Sequence, residues 1–329
     1  MRSIRLIRPA ALRPGDTIAV IAPAGAVQAE RLAVGVAFLQ DRGFNVRPPR
    51  AATAVPSRYF SAHESERRAD LLDAFADPEV RAVWCARGGY GSARLLPGLE
   101  PEWFRSRAKL VIGFSDATAL LHFLVSGAGV AALHGPMVAH DLASQSARSL
   151  EHLFAVLAGA AEWRVDVPRA IRPGEAEAPL MGGCLTVLAS LAGTPFQPSF
   201  AGAIALLEDT NERPLRRVDR LLTQLRQSRM LAGVRGLIFG AMPNCGDPDE
   251  LCATIDDCLG DLGVPIGFGV PFGHGDENFA LPLGVRARLT VAPRGADQNP
   301  AGAGGSAEQG GRSESNPAGS LIGIEPVVS

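Results

Sequence analysis

Apolar, β-rich runs alternate with amphipathic segments along the first half of the chain, and this alternation restricts the possible folds most strongly. The run DTIAVIAPAG at 16–25 is followed by a segment with helical spacing, a glycine stop and a second strand. The order of strand, glycine turn and helix recurs at 82–96 and at 110–124. Strands that alternate with helices form parallel sheets covered on both faces. We therefore predict an α/β protein whose N-terminal part is a doubly wound, flavodoxin-like parallel sheet.

The length of the chain and a change in composition predict two domains. With 329 residues, 47% of them hydrophobic, the chain has enough apolar material for two cores. From about residue 157 the sequence becomes rich in Pro, Gly and charge, which is typical of a connection between domains. We predict an N-terminal domain at 1–157, a linker at 158–180, and a smaller mixed α/β domain at 181–329. Within this second domain, we expect the low-complexity segment 295–319 to be a disordered loop.

Charge and composition argue against several classes of function. The formal net charge is −2 and no dense Lys/Arg run occurs, so neither a nucleic acid nor a membrane surface is an expected partner. The N-terminus lacks the apolar stretch of a signal peptide, which predicts a cytoplasmic protein. The five cysteines are odd in number and form no CxxC pair, which favours reduced thiols.

Sequence motifs for metals and cofactors are also missing. The chain contains no HExxH spacing, no clustered His/Asp ligands and no Walker lysine. The segment GGYGSAR at 88–94 follows a predicted strand, but Arg94 stands where a dinucleotide-binding fingerprint needs its third glycine. Gly88 and Gly89 are better explained by a close backbone approach to a ligand, or by a plain tight turn. We therefore expect no metal and no cofactor.

The segment GFSDA at 113–117 contains the main candidate for a nucleophile. Ser115 falls between a predicted strand and a predicted helix, where a turn can present its hydroxyl and direct backbone N–H groups at an oxyanion. The usual pattern is G-x-S-x-G, and Ala117 replaces the last glycine. On the motif alone, Ser115 is more simply explained as the N-cap of the helix.

A serine nucleophile needs a base, and the sequence offers few. Lys109 lies six residues before Ser115 on the same predicted strand, about 20 Å away, which excludes a Ser–Lys dyad. His274 lies in the glycine-rich loop VPFGHGDENFALPLG, from which a side chain can reach a cleft, although a turn histidine is an equal alternative. Glu208 ends the apolar strand AIALLED and is either the carboxylate that orients an imidazole or an ordinary strand-terminal acid.

The other five histidines are poorer candidates for a catalytic base. Positions on predicted helices or in a capping turn favour structural roles for three of them: His63, His122 and His152. His134 and His140 flank the segment GPM, and the sequence leaves their roles open.

Seven blocks in a fixed order carry a resemblance to a known family: WCARGGYGSARLL, GFSDATALL, HGPM, GGCLTVLASLAGTP, LLEDTNERP, DRLLTQLR and PFGHGDENFALPLG. The sequence resembles the LD-carboxypeptidase family of cytoplasmic serine peptidases, which trim murein peptides and include the microcin self-immunity hydrolases. The resemblance extends from Leu12 to about Leu289. It implies that Ser115 is the nucleophile, that Glu208 and His274 complete a triad, and that the protein is a homodimer.

The same resemblance implies further details of the site. The backbone N–H of Asp116 and one from the Gly88–Gly89 turn would form the oxyanion hole. The implied reaction removes terminal D-alanine from a murein tetrapeptide during cell-wall recycling, without a cofactor. Two positions depart from the family pattern, because Cys184 stands where Asn is common and Leu215 where an aromatic residue is common.

Substrate recognition and two other functions remain open from the sequence. A carboxypeptidase must bind a free carboxylate one residue beyond the scissile carbonyl, and three arginines near the blocks are candidates: Arg87, Arg94 and Arg217. One alternative is a microcin-type hydrolase that cuts a peptidyl-nucleotide amide. Another is a non-catalytic peptide- or sugar-binding module in which Ser115 only caps its helix.

Overall fold

The computed structural model describes residues 5–50, 57–293 and 317–329. Its strands are, in chain order, β1 Thr17–Ile21, β2 Asn45–Arg47, β3 Val80–Cys85, β4 Leu110–Gly113, β5 Ala132–His134, β6 Arg164–Val167, β7 Arg169–Arg172, β8 Gly174–Cys184, β9 Ile204–Glu208, β10 Gly236–Gly240, β11 Ile266–Val270, β12 Leu281–Leu283, β13 Arg286–Val291 and β14 Gly319–Gly323. Its α-helices are α1 Ala29–Gln40, α2 Glu64–Ala76, α3 Pro101–Arg105, α4 Thr118–His122, α5 Ala147–Leu157, α6 Leu185–Ser190, α7 Arg216–Gln227 and α8 Pro248–Leu259.

The first sheet has the strand order β12-β5-β4-β3-β1-β2. Strands β1 to β5 run parallel, whereas β12 pairs antiparallel with β5. The order 2-1-3-4-5 is that of flavodoxin-like sheets, so the predicted fold class is confirmed. The central strand β4 has the sequence LVIG and is buried along its whole length, as expected for a parallel sheet covered on both faces.

The second sheet is mixed and has the strand order β6-β14-β13-β8-β9-β10-β11-β7. Strands β8 to β11 run parallel in its centre, and antiparallel strands flank them on both sides. This arrangement confirms the mixed α/β class predicted for the C-terminal part. Within the described residues the second sheet has eight strands and the first has six.

Residues 158–180, interpreted above as a linker, contain β6, β7 and the first part of β8. Their side chains alternate in exposure, because Val165 and Val167 are buried around the half-buried Asp166, and the buried Ala176 precedes the exposed Glu177. Such alternation is typical of antiparallel strands with one solvated face, and the charged and proline residues obscured it in the sequence. The segment is thus part of the second sheet, while the domain boundaries at 157 and 181 remain a prediction.

Strand β12 crosses from the C-terminal half of the chain into the first sheet. Leu281 pairs with His134, and Leu283 pairs with Ala132. This pairing covers the edge that β5 would otherwise expose. The two sheets also share one continuous hydrophobic core, to which buried leucines of β5, β8 and β12 all belong.

Helix α7 shows how the local sequence directs packing onto that core. Val218, Leu222 and Leu225 recur at helical spacing and are fully buried, as the sequence predicts. No helix within the described residues is long and apolar enough to cross a bilayer. The predicted disordered loop at 295–319 lies outside the described residues as far as position 316, and β14 begins at Gly319.

Candidate active site

The carboxyl ends of parallel strands from both sheets meet at one place. Ser115 follows β4 of the first sheet, Glu208 is the last residue of β9 in the second sheet, and His274 lies in the loop after β11. Loops and side chains converge at such strand ends, which is why ligand sites of α/β sheets form there. Three side chains that are far apart in the sequence are thereby brought together.

Ser115, His274 and Glu208 form a continuous chain of hydrogen bonds. Nδ1 of His274 lies 2.7 Å from Oε2 of Glu208, and Nε2 lies 3.0 Å from Oγ of Ser115. The same carboxylate oxygen accepts the backbone N–H of His274 at 3.1 Å. Because an ionised carboxylate only accepts hydrogen bonds, Nδ1 carries the proton and Nε2 accepts from the serine hydroxyl. This is the tautomer that a general base next to a nucleophile requires.

The backbone at Ser115 adopts a conformation that non-glycine residues rarely have. Its φ is +57°, and it begins the 3-10 turn Ser115–Ala117 that precedes α4. The side chain makes no capping hydrogen bond to either helical segment, so the N-cap interpretation of Ser115 is wrong. The turn is tight, since a Cβ on Gly113 would lie 3.0 Å from Cβ of Ala117, and Ala117 is small enough for this position.

The Gly88–Gly89 turn lies directly against Ser115. A Cβ on Gly88 would be 2.8 Å from Oγ of Ser115 and 3.4 Å from the backbone nitrogen of Asp116, so only glycine permits this approach. Gly89 has a φ of +110°, which also favours glycine. The buried carboxylate of Asp116 accepts the backbone N–H of Ser92 at 2.8 Å and thereby ties the glycine turn to the serine turn.

Glu208 is fully buried between two imidazoles. Its second oxygen, Oε1, faces Nε2 of His134 at 4.0 Å. Burial by itself would raise the pKa of Glu208, but His134 and His274 outweigh it and lower the pKa to about 2. Glu208 is therefore ionised at neutral pH, as the orienting group of an imidazolium must be. His134, whose role the sequence left open, was missed as part of this site; its position at the carboxyl end of β5 is the signal that could have revealed it.

The pKa of His274 is raised above its ordinary value of 6.5. Burial alone would lower it, but the hydrogen bond and the charge of Glu208 outweigh the burial, with further contributions from Asp209 and Asp141. The ring of Phe114 meets the His274 ring edge-on, with centroids 4.9 Å apart, and forms an apolar wall beside the imidazole.

A buried polar network fixes the loop that carries His274. Asn278 is fully buried; its Oδ1 accepts the backbone N–H of Gly273 at 2.9 Å, and its Nδ2 donates to Asp141 at 3.1 Å. Its own N–H donates to the side chain of Gln145 at 2.9 Å. Asp141 and Gln145 belong to the segment after β5, so the network joins the His274 loop to the first sheet. No motif considered in the sequence indicated Asn278.

The three candidate arginines differ in their partners. Arg94 pairs with Glu64 at 3.1 Å, and Arg217 pairs with Glu212 at 2.9 Å. Arg87 donates from Nη1 to the backbone oxygen of Ala26, and its buried Nε has no hydrogen-bond partner among the described residues.

The two departures from the family pattern have different surroundings. Cys184 pairs with Glu208 in the β8–β9 register, and its N–H donates to Oγ1 of Thr118 at 3.0 Å. Burial holds the pKa of the Cys184 thiol well above its ordinary value, so the thiol is protonated. Leu215 immediately precedes α7 and packs beside Gly246. Within the described part of the chain, no group of three or more His, Cys, Asp or Glu residues is arranged to hold a metal ion.

Substitution of Gly273 by alanine tests whether the triad geometry depends on this glycine. Its φ is +85°, and a Cβ there would overlap Oε2 of Glu208. We expect Gly273→Ala to slow labelling of Ser115 by a fluorophosphonate about 10²-fold, because a displacement near 1 Å has that effect on a positioned group. The control is Gly193→Ala, with a φ of +77° and open space around it. Both variants should lose about 1–2 kcal/mol of stability from the left-handed backbone, and equal labelling rates would contradict the prediction.

Comparison with known proteins identifies the family. The family model described as the LD-carboxypeptidase N-terminal domain matches residues 18–135, and the model described as the C-terminal domain matches residues 177–289. A protein of Streptomyces coelicolor named as a carboxypeptidase is 40% identical over 292 residues, 86% of this chain and 93% of that protein. The murein tetrapeptide carboxypeptidase of Pseudomonas aeruginosa is 33% identical, over 83% of this chain and 92% of that protein.

A solved structure agrees with the fold. A MccF-like protein from Bacillus anthracis superposes with a TM-score of 0.81, covering 97% of this chain and 99% of that structure. MccF is the microcin C7 self immunity protein. At 23% identity this likeness concerns the fold alone. With both domain models matched in order over more than half of its length, the chain belongs to the LD-carboxypeptidase family.

Proposed function

We propose that this protein is a serine carboxypeptidase that removes terminal D-alanine from a murein tetrapeptide during cell-wall recycling. The observation that carries the proposal is the hydrogen-bonded chain from Ser115 through His274 to Glu208. Membership of the LD-carboxypeptidase family and the likeness to a murein tetrapeptide carboxypeptidase support the bond type and the substrate class.

The three side chains divide the reaction between them. Oγ of Ser115 attacks the carbonyl carbon of the penultimate residue, while Nε2 of His274 takes the hydroxyl proton. Glu208 holds Nδ1 and stabilises the imidazolium that forms. His274 then gives the proton to the departing amine of D-alanine, which leaves an acyl ester on Ser115. Water, deprotonated by the same nitrogen, hydrolyses this ester and frees the shortened peptide.

Backbone N–H groups would stabilise the charge that develops on the carbonyl oxygen. The N–H of Asp116 and one from the Gly88–Gly89 turn are the proposed donors, and the close approach of Gly88 to both Ser115 and Asp116 supports this assignment. No step of this mechanism needs a metal or a cofactor. The proposal includes a cytoplasmic location and a homodimer, and neither a nucleic acid nor a membrane as partner.

Arg87 is the best candidate to bind the terminal carboxylate of the substrate. It immediately precedes Gly88, which touches Ser115, and its guanidinium lies beside Gly25 and Gly89. The other two candidate arginines already have carboxylate partners, whereas the described contacts of Arg87 include only a backbone oxygen. A guanidinium can take a carboxylate in a bidentate manner, which fixes the end of the peptide relative to the nucleophile.

The first test compares murein peptides of different length and ending. We expect wild-type protein to release D-alanine from the tetrapeptide and to leave the pentapeptide and an L-alanine-terminated tetrapeptide uncut, as followed by mass spectrometry. An extra residue moves the carboxylate by about 3.5 Å, away from its binding group. Ser115→Ala should reduce kcat about 10⁶-fold at an unchanged melting temperature.

A fourth substrate in the same assay decides between the family functions. Cleavage of a peptidyl-nucleotide amide alone would replace the murein assignment with the microcin-type alternative. Cleavage of the pentapeptide as fast as the tetrapeptide would remove the proposed recognition of the terminal carboxylate.

The raised pKa of His274 predicts the pH dependence of the reaction. The base acts only when neutral, so kcat/KM should fall as pH decreases, with a midpoint above the ordinary value of 6.5. Glu208→Gln removes the charge that raises this pKa, so the His274 midpoint in an NMR titration should decrease while kcat falls about 10³- to 10⁴-fold. The fall of kcat/KM at low pH is the acid limb of the pH profile. If the midpoint is the same in Glu208→Gln as in wild type, another group causes the acid limb.

The role of Arg87 is tested by pairing enzyme variants with a modified substrate. Arg87→Ala should lower kcat/KM for the tetrapeptide about 10²-fold, equivalent to roughly 3 kcal/mol for a charge-assisted pair. A tetrapeptide with a C-terminal amide should be a poor substrate for wild-type protein, yet Arg87→Ala should cut it no more slowly than wild type does. The matched controls Arg94→Ala and Arg217→Ala should retain the preference for the free carboxylate. If one of these controls loses the preference and Arg87→Ala keeps it, the arginine replaced in that control is the one that binds the carboxylate.

A further inference from the structure

A second imidazole faces the carboxylate that orients the catalytic base. His134 is the last residue of β5 and pairs with Leu281 of β12 within the first sheet. One oxygen of Glu208, Oε2, receives both hydrogen bonds from His274, while the other, Oε1, faces Nε2 of His134 at 4.0 Å. Each carboxylate oxygen thus has its own histidine.

The atoms on the His134 side are buried and unpaired. Neither ring nitrogen of His134 nor Oε1 of Glu208 has a hydrogen-bond partner within the described residues, and both residues have zero exposure. A buried carboxylate oxygen without a donor is costly, and so is a buried imidazole N–H without an acceptor. The two groups can satisfy each other, because closing the distance by about 1 Å reaches ordinary hydrogen-bond length.

We propose that His134 is a positioning residue for the catalytic carboxylate, donating its Nε2–H to Oε1 of Glu208 when the site is engaged in the reaction. This inference rests on the proposed triad mechanism. Two donors on opposite oxygens hold the plane of the carboxylate, so that Oε2 stays directed at Nδ1 of His274. His134 touches neither the substrate nor the reacting atoms and acts only through Glu208.

A donor on Oε1 also changes the basicity of the pair formed by Glu208 and His274. The charged and titratable groups around this pair include Asp209 and Asp141, which act on His274, and His134, which acts on Glu208. The thiols of Cys184 and Cys245 also face the charge of Glu208, and burial holds the pKa of each above its ordinary value. Removing the His134 donor makes the carboxylate more basic, so the pair binds a proton at higher pH. When that proton is on His274, its Nε2 can no longer accept from Ser115, so the acid limb of kcat/KM moves to higher pH.

The competing explanation is that His134 only fills space. Its ring packs against Phe114 and Phe272, with centroids 5.8 Å and 5.5 Å away. A phenylalanine at this position keeps the ring volume and these aromatic contacts while it removes both nitrogens. Packing and hydrogen bonding therefore predict different outcomes for the same substitution.

The experiment compares three variants with wild-type protein on the murein tetrapeptide. His134→Phe should reduce kcat about tenfold or more with KM within twofold, and should move the acid limb of kcat/KM upward by about half a pH unit. His134→Gln retains an N–H donor and should restore part of both losses. The matched control is His122→Phe, because His122 is also buried, packs edge-on against Phe200, and lies outside the triad. This control should keep kcat within twofold of wild type and leave the acid limb in place.

A measurement on the wild-type protein keeps the test independent of variant folding. In ¹⁵N spectra of histidine-labelled protein, His134 should carry its proton on Nε2 and not on Nδ1, and Glu208→Gln should shift the Nε2 resonance. The proposal is overturned if His134 carries its proton on Nδ1, or if its Nε2 resonance has the same shift in Glu208→Gln as in wild type. So does a His134→Phe protein with the kcat and acid limb of the wild type.

The outcomes separate this inference from the proposed function. If wild-type protein cuts no murein peptide, the substrate assignment fails, yet the tautomer and its response to Glu208→Gln still report on the pairing. If wild-type protein is active and His134→Phe matches it, only the positioning role of His134 is lost.

Discussion

An ionised carboxylate without contact to solvent lies between the two sheets, and the arrangement of the site depends on it. Glu208 has zero exposure, and burial of such a charge is unfavourable unless donors surround it. The groups around it come from elements distant in the sequence: the backbone and ring of His274 donate from the loop after β11, and the ring of His134 at the end of β5 faces the other oxygen at 4.0 Å. The requirement to neutralise one buried charge thus brings both sheets to a common point.

The connections between the sheets keep these donors in place. Strand β12 follows the His274 loop and pairs with β5 of the first sheet. This pairing places the start of β12 beside His134 and so anchors the His274 loop to the first sheet. Asn278 joins the same loop to Asp141 and Gln145, and Thr118 accepts the N–H of Cys184 at the end of β8. Each link lies within a few residues of Ser115, His274 or Glu208 and helps to hold the hydrogen-bonded chain between them.

Strand periodicity and glycine turns made the fold class predictable from sequence and marked Ser115, Glu208 and His274 as candidates, while their roles in a triad were implied by the family resemblance. Ser115 and Glu208 each follow an apolar run, so their location at strand ends was visible, whereas their spatial proximity came from family resemblance. His134 was harder to place, because nothing in HGPM shows that its ring turns toward a carboxylate 74 residues away in the chain. Strand β12 was missed because three residues between a glycine-rich loop and a glycine carry too weak a pattern, and long-range pairing decides their structure.

The two sheets contribute different parts of the chemistry. The Gly88–Gly89 turn and Arg87 follow β3, next to β1, where the strand order of a flavodoxin-like sheet reverses and ligands commonly bind. The first sheet therefore presents the proposed nucleophile together with groups suited to hold a substrate, while the second supplies the carboxylate and the loop that carries the proposed base. In the proposed mechanism, changes in the loops after β1 and β3 can then alter substrate preference without disturbing Glu208 and His274. Cys184, one of the two departures from the family pattern, belongs to the second sheet, and its backbone N–H links the end of β8 to Thr118 of α4.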